Sequence, residues 1–220
     1  MLTAKEWEEL AKQLRNPSGE FGTIVAKNMH ETNNSMTSHA IKWLQIKPKE
    51  TMLEIGHGNA HHVIDLLKNH AKNQYFGLDI SPLMHQEATN ANEVFIQNKQ
   101  ANFLLYDGLT LPYPADFFDN IFTVNTLYFW ENPADFLQEI YRVCRIGGRF
   151  CLTFGDANFM KTLPFTDFGF QLYEVDIIKK WCIDSGFSVV SIQSAKDDVK
   201  SKSGEIVERL FHTLILEKLA

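Results

Sequence analysis

Apolar and polar positions along this chain change period several times, and each change marks an element. Helical spacing runs from residue 3 to 14 and stops at the breakers Asn16-Pro17-Ser18-Gly19. A second helical stretch, roughly 34–45, closes at Lys47-Pro48. The segment from Phe21 to Ser38, with Asn33, Asn34 and Met36, reads equally as a lid or as an ordinary connection. Short apolar runs bounded by turn residues then predict five buried strands: TMLEI (51–55), QYFGLD (74–79), NFLLYD (102–107), DNIFTVN (119–125) and RFCLTF (149–154).

Helical segments fill the gaps. One follows a glycine turn and runs to about Asn69, and Ser81-Pro82 opens the next as cap and first-turn proline. Another runs from Asn132-Pro133 to near Gly147-Gly148. A Phe-rich loop extends to about Tyr173, and a helix from Glu174 to Ser185 is capped by Gly186. FSVVSIQSA (187–195) and IVERLFHTLILEK (206–218) flank the polar KDDVKSKSGE and predict an antiparallel hairpin. The alternation predicts an α/β fold: a doubly wound, mostly parallel seven-stranded sheet with the C-terminal hairpin at one edge. Residues 1–47 are expected to form an N-terminal helical extension or lid, and 48–220 the main domain.

Composition narrows the function. At 220 residues the chain suits one domain with a sizeable core, and 17 phenylalanines exceed what that core needs, which points to an aromatic-lined pocket. A formal charge of −6 without a Lys/Arg cluster argues against nucleic acid. Cys144, Cys151 and Cys182 are odd in number and far apart, so three reduced, buried thiols are expected rather than a zinc knuckle or disulfides. The N-terminal MLTAKEWEELAKQLRN lacks the apolar run of a signal peptide, and no stretch reaches membrane-spanning length. A cytoplasmic monomer or homodimer is the expectation.

The chemistry gathers at LEIGHGNAHHV, residues 53 to 63. Gly56 and Gly58 lie between strand and helix, where open parallel sheets bind ligands and glycine lets backbone approach them closely. Three acids end consecutive strands. Glu54 stands two residues before the first glycine. Asp79 lies 23 residues after Gly56 and suits the two ribose hydroxyls of a nucleoside. Asp107, followed by Gly108, is placed to accept from the exocyclic amine of adenine. His57, His61 and His62 lack the HExxH arrangement, and the adjacent pair diverges on a helix, so helix-surface histidines are expected instead of a metal site.

In these stretches the sequence resembles the class I S-adenosylmethionine-dependent methyltransferases. LEIGHGNA looks like their first motif, acidic–x–G–x–G–x–G, and GLDIS like their second. LLYDG with LPYPADFFDNIFTVNTLYFWENP is similar to the run through their third and fourth strands, and RVCRIGGRFCLTF to the turn before their fifth. The resemblance covers about residues 50–190 and is closest to the small-molecule, ubiquinone/menaquinone-biosynthesis-like type. Ala60 departs from the motif's third glycine, although alanine is small enough for close helix–strand packing.

The resemblance implies a Rossmann-like fold and S-adenosylmethionine as cofactor. Glu54 would orient its methionine end, with Gly56 and Gly58 giving room. Asp79 would hold the ribose, Ile80 and Met84 would pack on the adenine, and Asp107 would read its amine beside the Gly108 amide. Asn125 would face the methionine portion and the transferred methyl. The implied reaction is in-line transfer to a small, partly apolar acceptor, with a base needed only if the acceptor must first lose a proton. His57, Tyr128 and Asp156 are base candidates by position. Phe159, Phe165, Phe168 and Phe170, with Tyr128, Phe129 and Trp130, are either an acceptor wall or core packing. An inert cofactor-binding partner protein is the alternative function. A nicotinamide-dependent oxidoreductase is opposed because none of the six tyrosines has lysine four residues on.

Overall fold

The short apolar runs pair side by side. In the computed structural model, which describes residues 2–200 and 206–220, β1 (Thr51–Ile55), β2 (Gln74–Asp79), β3 (Ala101–Leu105), β4 (Phe118–Val124) and β5 (Cys144–Gly155) are mutually parallel. β6 (Ser188–Lys200) and β7 (Ile206–Glu217) form an antiparallel hairpin, and β7 lies against β5. The order is β3-β2-β1-β4-β5-β7-β6. Strand succession reverses between β1 and β4, so the crevice for a ligand opens beyond their carboxyl ends. β6 continues through residues expected to be loop as far as Lys200; the rest of that loop lies outside the described residues.

Helices cover both faces. Met52, Phe122, Cys151 and Ile215 share a cluster with α2 (Gly19–Leu44), α3 (His62–Asn69) and α4 (Pro82–Ala91) through Ala40, Leu44, Val63, Leu67 and Ala88, and Phe95 of α5 (Glu93–Gln97) packs against it. Leu53, Ile121, Phe150 and Leu152 meet α6 (Pro133–Val143) and α8 (Val175–Asp184) through Leu137, Ile140, Ile178 and Cys182. Burial on both faces explains the unbroken apolar runs of the inner strands. A smaller cluster joins Leu10 and Ala11 of α1 (Ala4–Arg15) to Val25 and Phe165. α1 begins with a capping box, in which the Glu6 amide donates to Thr3 Oγ1 and the Thr3 amide to the Glu6 carboxylate. The three cysteines are free and buried. No described helix is long and apolar enough to cross a membrane.

Three expectations need correction. The second helix begins at Gly19, not near residue 34, so Phe21 to Ser38 is helix throughout. Asn33, Asn34 and Ser35 are poor helix formers, but burial of Val25, Ala26, Met36, Ala40 and Leu44 outweighs that preference. α6 stops at Val143, and Gly147-Gly148 lies within β5. There a Cβ on Gly148 would stand 2.8 Å from the Arg145 carbonyl, so those glycines kink a strand instead of ending a helix. The Phe-rich loop contains α7 (Ala157–Lys161) and a 3-10 turn, Pro164–Asp167.

Candidate active site

The glycine turn is fastened from two sides. Gly56 has φ +76°, and a Cβ there would lie 2.3 Å from Thr126 Cγ2, so this glycine lets β1 and β4 exit in contact. Gly58 has φ +57° with nothing within 4 Å of its missing Cβ, so its open side faces the crevice. Asp79 holds the turn: Oδ2 accepts from the Gly58 amide and Oδ1 from the Ser81 amide, each at 2.9 Å. Burial raises the Asp79 pKa, opposed by His57 and by these two amides. Each oxygen keeps a further lone pair. Ala60 takes the left-handed conformation (φ +51°) that favours glycine, a strain of about 1–2 kcal/mol. Its methyl is wholly buried, and Asn92 Nδ2 donates to its carbonyl at 3.1 Å.

Behind the turn sit two buried networks. Glu54 Oε2 accepts from Tyr75 Oη at 2.5 Å and from His62 Nε2 at 2.7 Å. Burial, then the Glu54 carboxylate, push the Tyr75 phenol well up and keep it protonated. His57 Nδ1 donates to the Gly58 carbonyl at 2.6 Å, and its ring stands edge-on to Phe103 at 5.0 Å. Burial lowers its pKa, so it stands as a neutral wedge against Gly77. The expectation of surface histidines holds for exposed His61 but not for His62, which lines the crevice. Among the described residues no three His, Cys, Asp or Glu side chains converge as metal ligands.

The crevice is a chamber of about 410 Å³, and Glu54, Gly56, Gly58, Asp79, Ile80, Asp107, Gly108 and Asn125 all line it. Asp107 stands at the rim, where Oδ1 accepts from the Thr110 and Leu109 amides, which lower its pKa. The roof comes from α2, whose Ala26, Met29, His30, Asn33 and Thr37 share one helical face over the chamber. These residues fall within the segment that reads in sequence as lid or connection, and their shared face becomes visible only once the helix is continuous. The α1–α2 turn closes one side, with Ser81 Oγ donating to the Pro17 carbonyl at 2.6 Å.

A second chamber, about 130 Å³, adjoins the first and shares Leu14, Met29, Asn33, Asn125 and Phe129 with it. Its wall is apolar: Phe159, Met160, Leu163, Phe165 and Phe170, with Val199 and Val207 of the hairpin. Phe168 is not part of it and packs with the α1 cluster instead. Trp130 lines the first chamber, Tyr128 the second. Asn125, held at φ +59°, stands at the junction. Its Nδ2 donates to Asn33 Oδ1 at 3.0 Å and its Oδ1 accepts from Tyr128 Oη at 3.2 Å. Burial pushes the Tyr128 phenol well up, so it stays protonated. Asp156 caps α7, pairs with His212 at 3.1 Å and lines neither chamber. Neither is placed or poised as a base.

Known proteins share this architecture. A family model described as a methyltransferase domain matches residues 53–152. The uncharacterized methyltransferase YdaC of Bacillus subtilis (strain 168) is 26% identical over 146 residues, which cover 64% of this chain and 78% of that protein. The 2-methyl-6-phytyl-1,4-hydroquinone methyltransferase 1 of Oryza sativa subsp. japonica is 26% identical over 144 residues, covering 64% of this chain and 42% of that protein. A tRNA U34 carboxymethyltransferase of Shewanella oneidensis is 30% identical over 117 residues, 50% of this chain and 35% of that protein. The matches thus span less than half of the latter two relatives. Among solved structures, a chain from the complex between the Haloferax volcanii Trm112 methyltransferase activator and its methyltransferase superposes with a TM-score of 0.74 at 18% identity, covering 89% of this chain and 93% of that one. At that identity the likeness shows the fold.

Proposed function

The chain belongs to the class I S-adenosylmethionine-dependent methyltransferases, and from that premise we propose that it methylates a small, partly apolar acceptor seated in the second chamber. The observation that carries the proposal is the junction: a polar chamber on the strand ends opens, at Asn125 and Asn33, into an aromatic one. S-adenosylmethionine supplies a methyl group already activated by the positive sulfonium. The first chamber suits it in size, since small-molecule sites commonly enclose ~300–1,000 Å³, and in the open side of Gly58 beside a buried carboxylate.

On this reading the free lone pairs of Asp79 take the ribose hydroxyls, and Ile80 and Met84 pack on the adenine. Asp107 and the Gly108 amide meet the adenine edge. Glu54 and His62 face the methionine end, and Asn125 fixes the reacting partners at the junction. The phenylalanine wall excludes water and orients the acceptor, which is most of what this reaction asks of a protein. Residues 1–47 act as the lid on the domain of 48–220, tied down through Pro17 and Ser81.

The hydroquinone acceptor named for the rice relative supports an aromatic substrate. The formal charge of −6 favours a small molecule over the tRNA named for the Shewanella relative. Three buried, unbridged thiols support a reducing compartment such as the cytoplasm. The test incubates the protein with methyl-labelled S-adenosylmethionine and either a panel of small aromatic hydroxy and carboxy compounds or bulk tRNA. Label in the organic extract is expected. Label in tRNA alone, or in neither fraction, rejects the proposal.

A further inference from the structure

Among the described residues lining the second chamber, Arg209 alone carries a charge. It lies on β7 and is 6% exposed. Most of its guanidinium is engaged: Nε donates to Asp197 Oδ1 at 3.0 Å, and Nη2 to Asp197 Oδ2 at 2.7 Å and to the Thr32 carbonyl at 2.8 Å. Nη1 has one long contact, 3.4 Å to Asn33 Oδ1. A guanidinium offers five N–H groups, so this nitrogen keeps one donor wholly free and a second weakly used. Asn33 also receives Asn125 Nδ2, so Nη1 stands two hydrogen bonds from the junction of the chambers. Both oxygens of Asp197 are already taken by Arg209, and Ser35 Oγ adds a further donor to Oδ2. Asp156, near Tyr128, is paired with His212 and does not line the chamber.

We propose that Nη1 of Arg209 receives an anionic oxygen of the acceptor, which makes the substrate a small apolar molecule bearing a carboxylate or an acidic phenol. This inference rests on the methyl-transfer reading above. Such an acceptor arrives already deprotonated, which accounts for a chamber whose phenol, Tyr128, is held protonated and whose wall offers no carboxylate or imidazole as a base. In the transfer, the oxygen's electron pair forms the new O–C bond as the S–C bond breaks, and that pair stays on sulfur. The products are a neutral ester or ether and neutral S-adenosylhomocysteine, with no proton left to place. The methylated product has lost the charge that Arg209 held, which favours its release.

The test titrates the full chain, loaded with S-adenosylhomocysteine, with phenylacetate and with phenylacetamide, which share a shape and differ in charge. A second pair, 4-nitrophenol at a pH where it is ionised and 4-nitrotoluene, separates a phenolate from a carboxylate. At least one anion is expected to bind about ten- to a hundredfold more tightly than its neutral counterpart, the range of a charged hydrogen bond. Arg209→Lys keeps a cation beside Asp197 but withdraws the fork, and should abolish that preference while leaving the neutral compounds as they were. Equal or tighter binding of the neutral member in both pairs overturns the proposal. So does a failure of all four to bind, or an unchanged preference in the lysine variant. The comparison of anion with neutral uses the unaltered protein, so it decides even if the variant does not fold. Failure of S-adenosylhomocysteine itself to bind is a different result, and it counts against the methyl-transfer reading.

Discussion

The two chambers meet at Asn125 but are built by different means. The first has a floor of backbone at the ends of β1, β2 and β4, with two glycines at positive φ and a carboxylate that clamps their turn, beneath the α2 roof. The glycine turn and the carboxylate that clamps it lie within one strand–helix–strand unit, from Gly56 to Asp79. The second is made of side chains from α1, α2, α7, the 3-10 turn and the hairpin, and its residues are drawn from nearly the whole chain. The first geometry suits a ligand that does not vary, the second a ligand that can be exchanged by altering a few rings. Damage to one chamber should therefore leave the other largely intact, and the expected effects can be ranked.

Phe165→Ala should have the largest effect. Phe165 joins the α1 cluster to the wall, with ring centroids 6.4 Å from Trp7 and 5.5 Å from Phe170. Truncating a buried phenylalanine costs about 3–5 kcal/mol, read as a lower denaturation midpoint. Cofactor affinity of the molecules still folded should change by no more than about twofold, as for a distant site. A parallel collapse of cofactor binding would show that the chambers are one structure.

Asp79→Ala comes next and acts on the other side. Two turn amides lose their acceptor, and S-adenosylhomocysteine affinity should fall about ten- to a hundredfold by calorimetry. Phenylacetate binding in the second chamber should hardly move.

Acidification should also weaken the first chamber. His57 is buried neutral, with its pKa lowered from the ordinary 6.5 by burial. Between that lowered value and 6.5 the unfolded chain binds the proton and the native chain does not, so stability is lost as pH falls below 6.5. The slope is at most about 1.4 kcal/mol per pH unit for this one group. Asp79 acts oppositely and at lower pH, because its raised pKa makes the native state the better proton acceptor above 3.8. Urea midpoints at pH 7.5, 6.5 and 5.5 test the sign, and His57→Gln should flatten the slope. An unchanged slope in that variant would move the acid sensitivity elsewhere.

Asp107→Ala should matter least. Its carboxylate sits at the exposed rim and already serves the Leu109 and Thr110 amides, so cofactor affinity should fall about two- to tenfold, the range of one ordinary hydrogen bond. A loss as large as that of Asp79→Ala would make the rim, not the clamp, the main anchor.

The contrast between chambers also explains what could be read in the sequence. Strands of five or six apolar residues, the glycine turn and the strand-end acids are local patterns, and the parallel sheet follows from their alternation. Ala60 was visible as a departure from the motif's third glycine, whereas its left-handed backbone was not. The roof was legible only as a segment that could be lid or connection; its continuous helix was not, because Asn33 and Asn34 disguise a helix that tertiary burial imposes. Nor was the sorting of the phenylalanines: Phe165 and Phe170 reach the chamber while Phe168 turns toward α1, a choice made by the 3-10 turn. Arg209 was not singled out at all. Its meaning depends on Asn33, 176 positions away, and no spacing rule spans that distance.

The decisive measurement is the thermal unfolding of the wild-type protein and of Asp79→Ala, with and without S-adenosylhomocysteine, and with NAD as the control. A ligand that binds only the native state adds about 2.7 kcal/mol at a hundredfold excess over its Kd. The melting temperature of the wild type should therefore rise with S-adenosylhomocysteine and stay fixed with NAD, and Asp79→Ala should lose most of the rise at the same ligand concentration. A shift with NAD instead, or an undiminished shift in Asp79→Ala, contradicts a cofactor chamber fastened by that carboxylate.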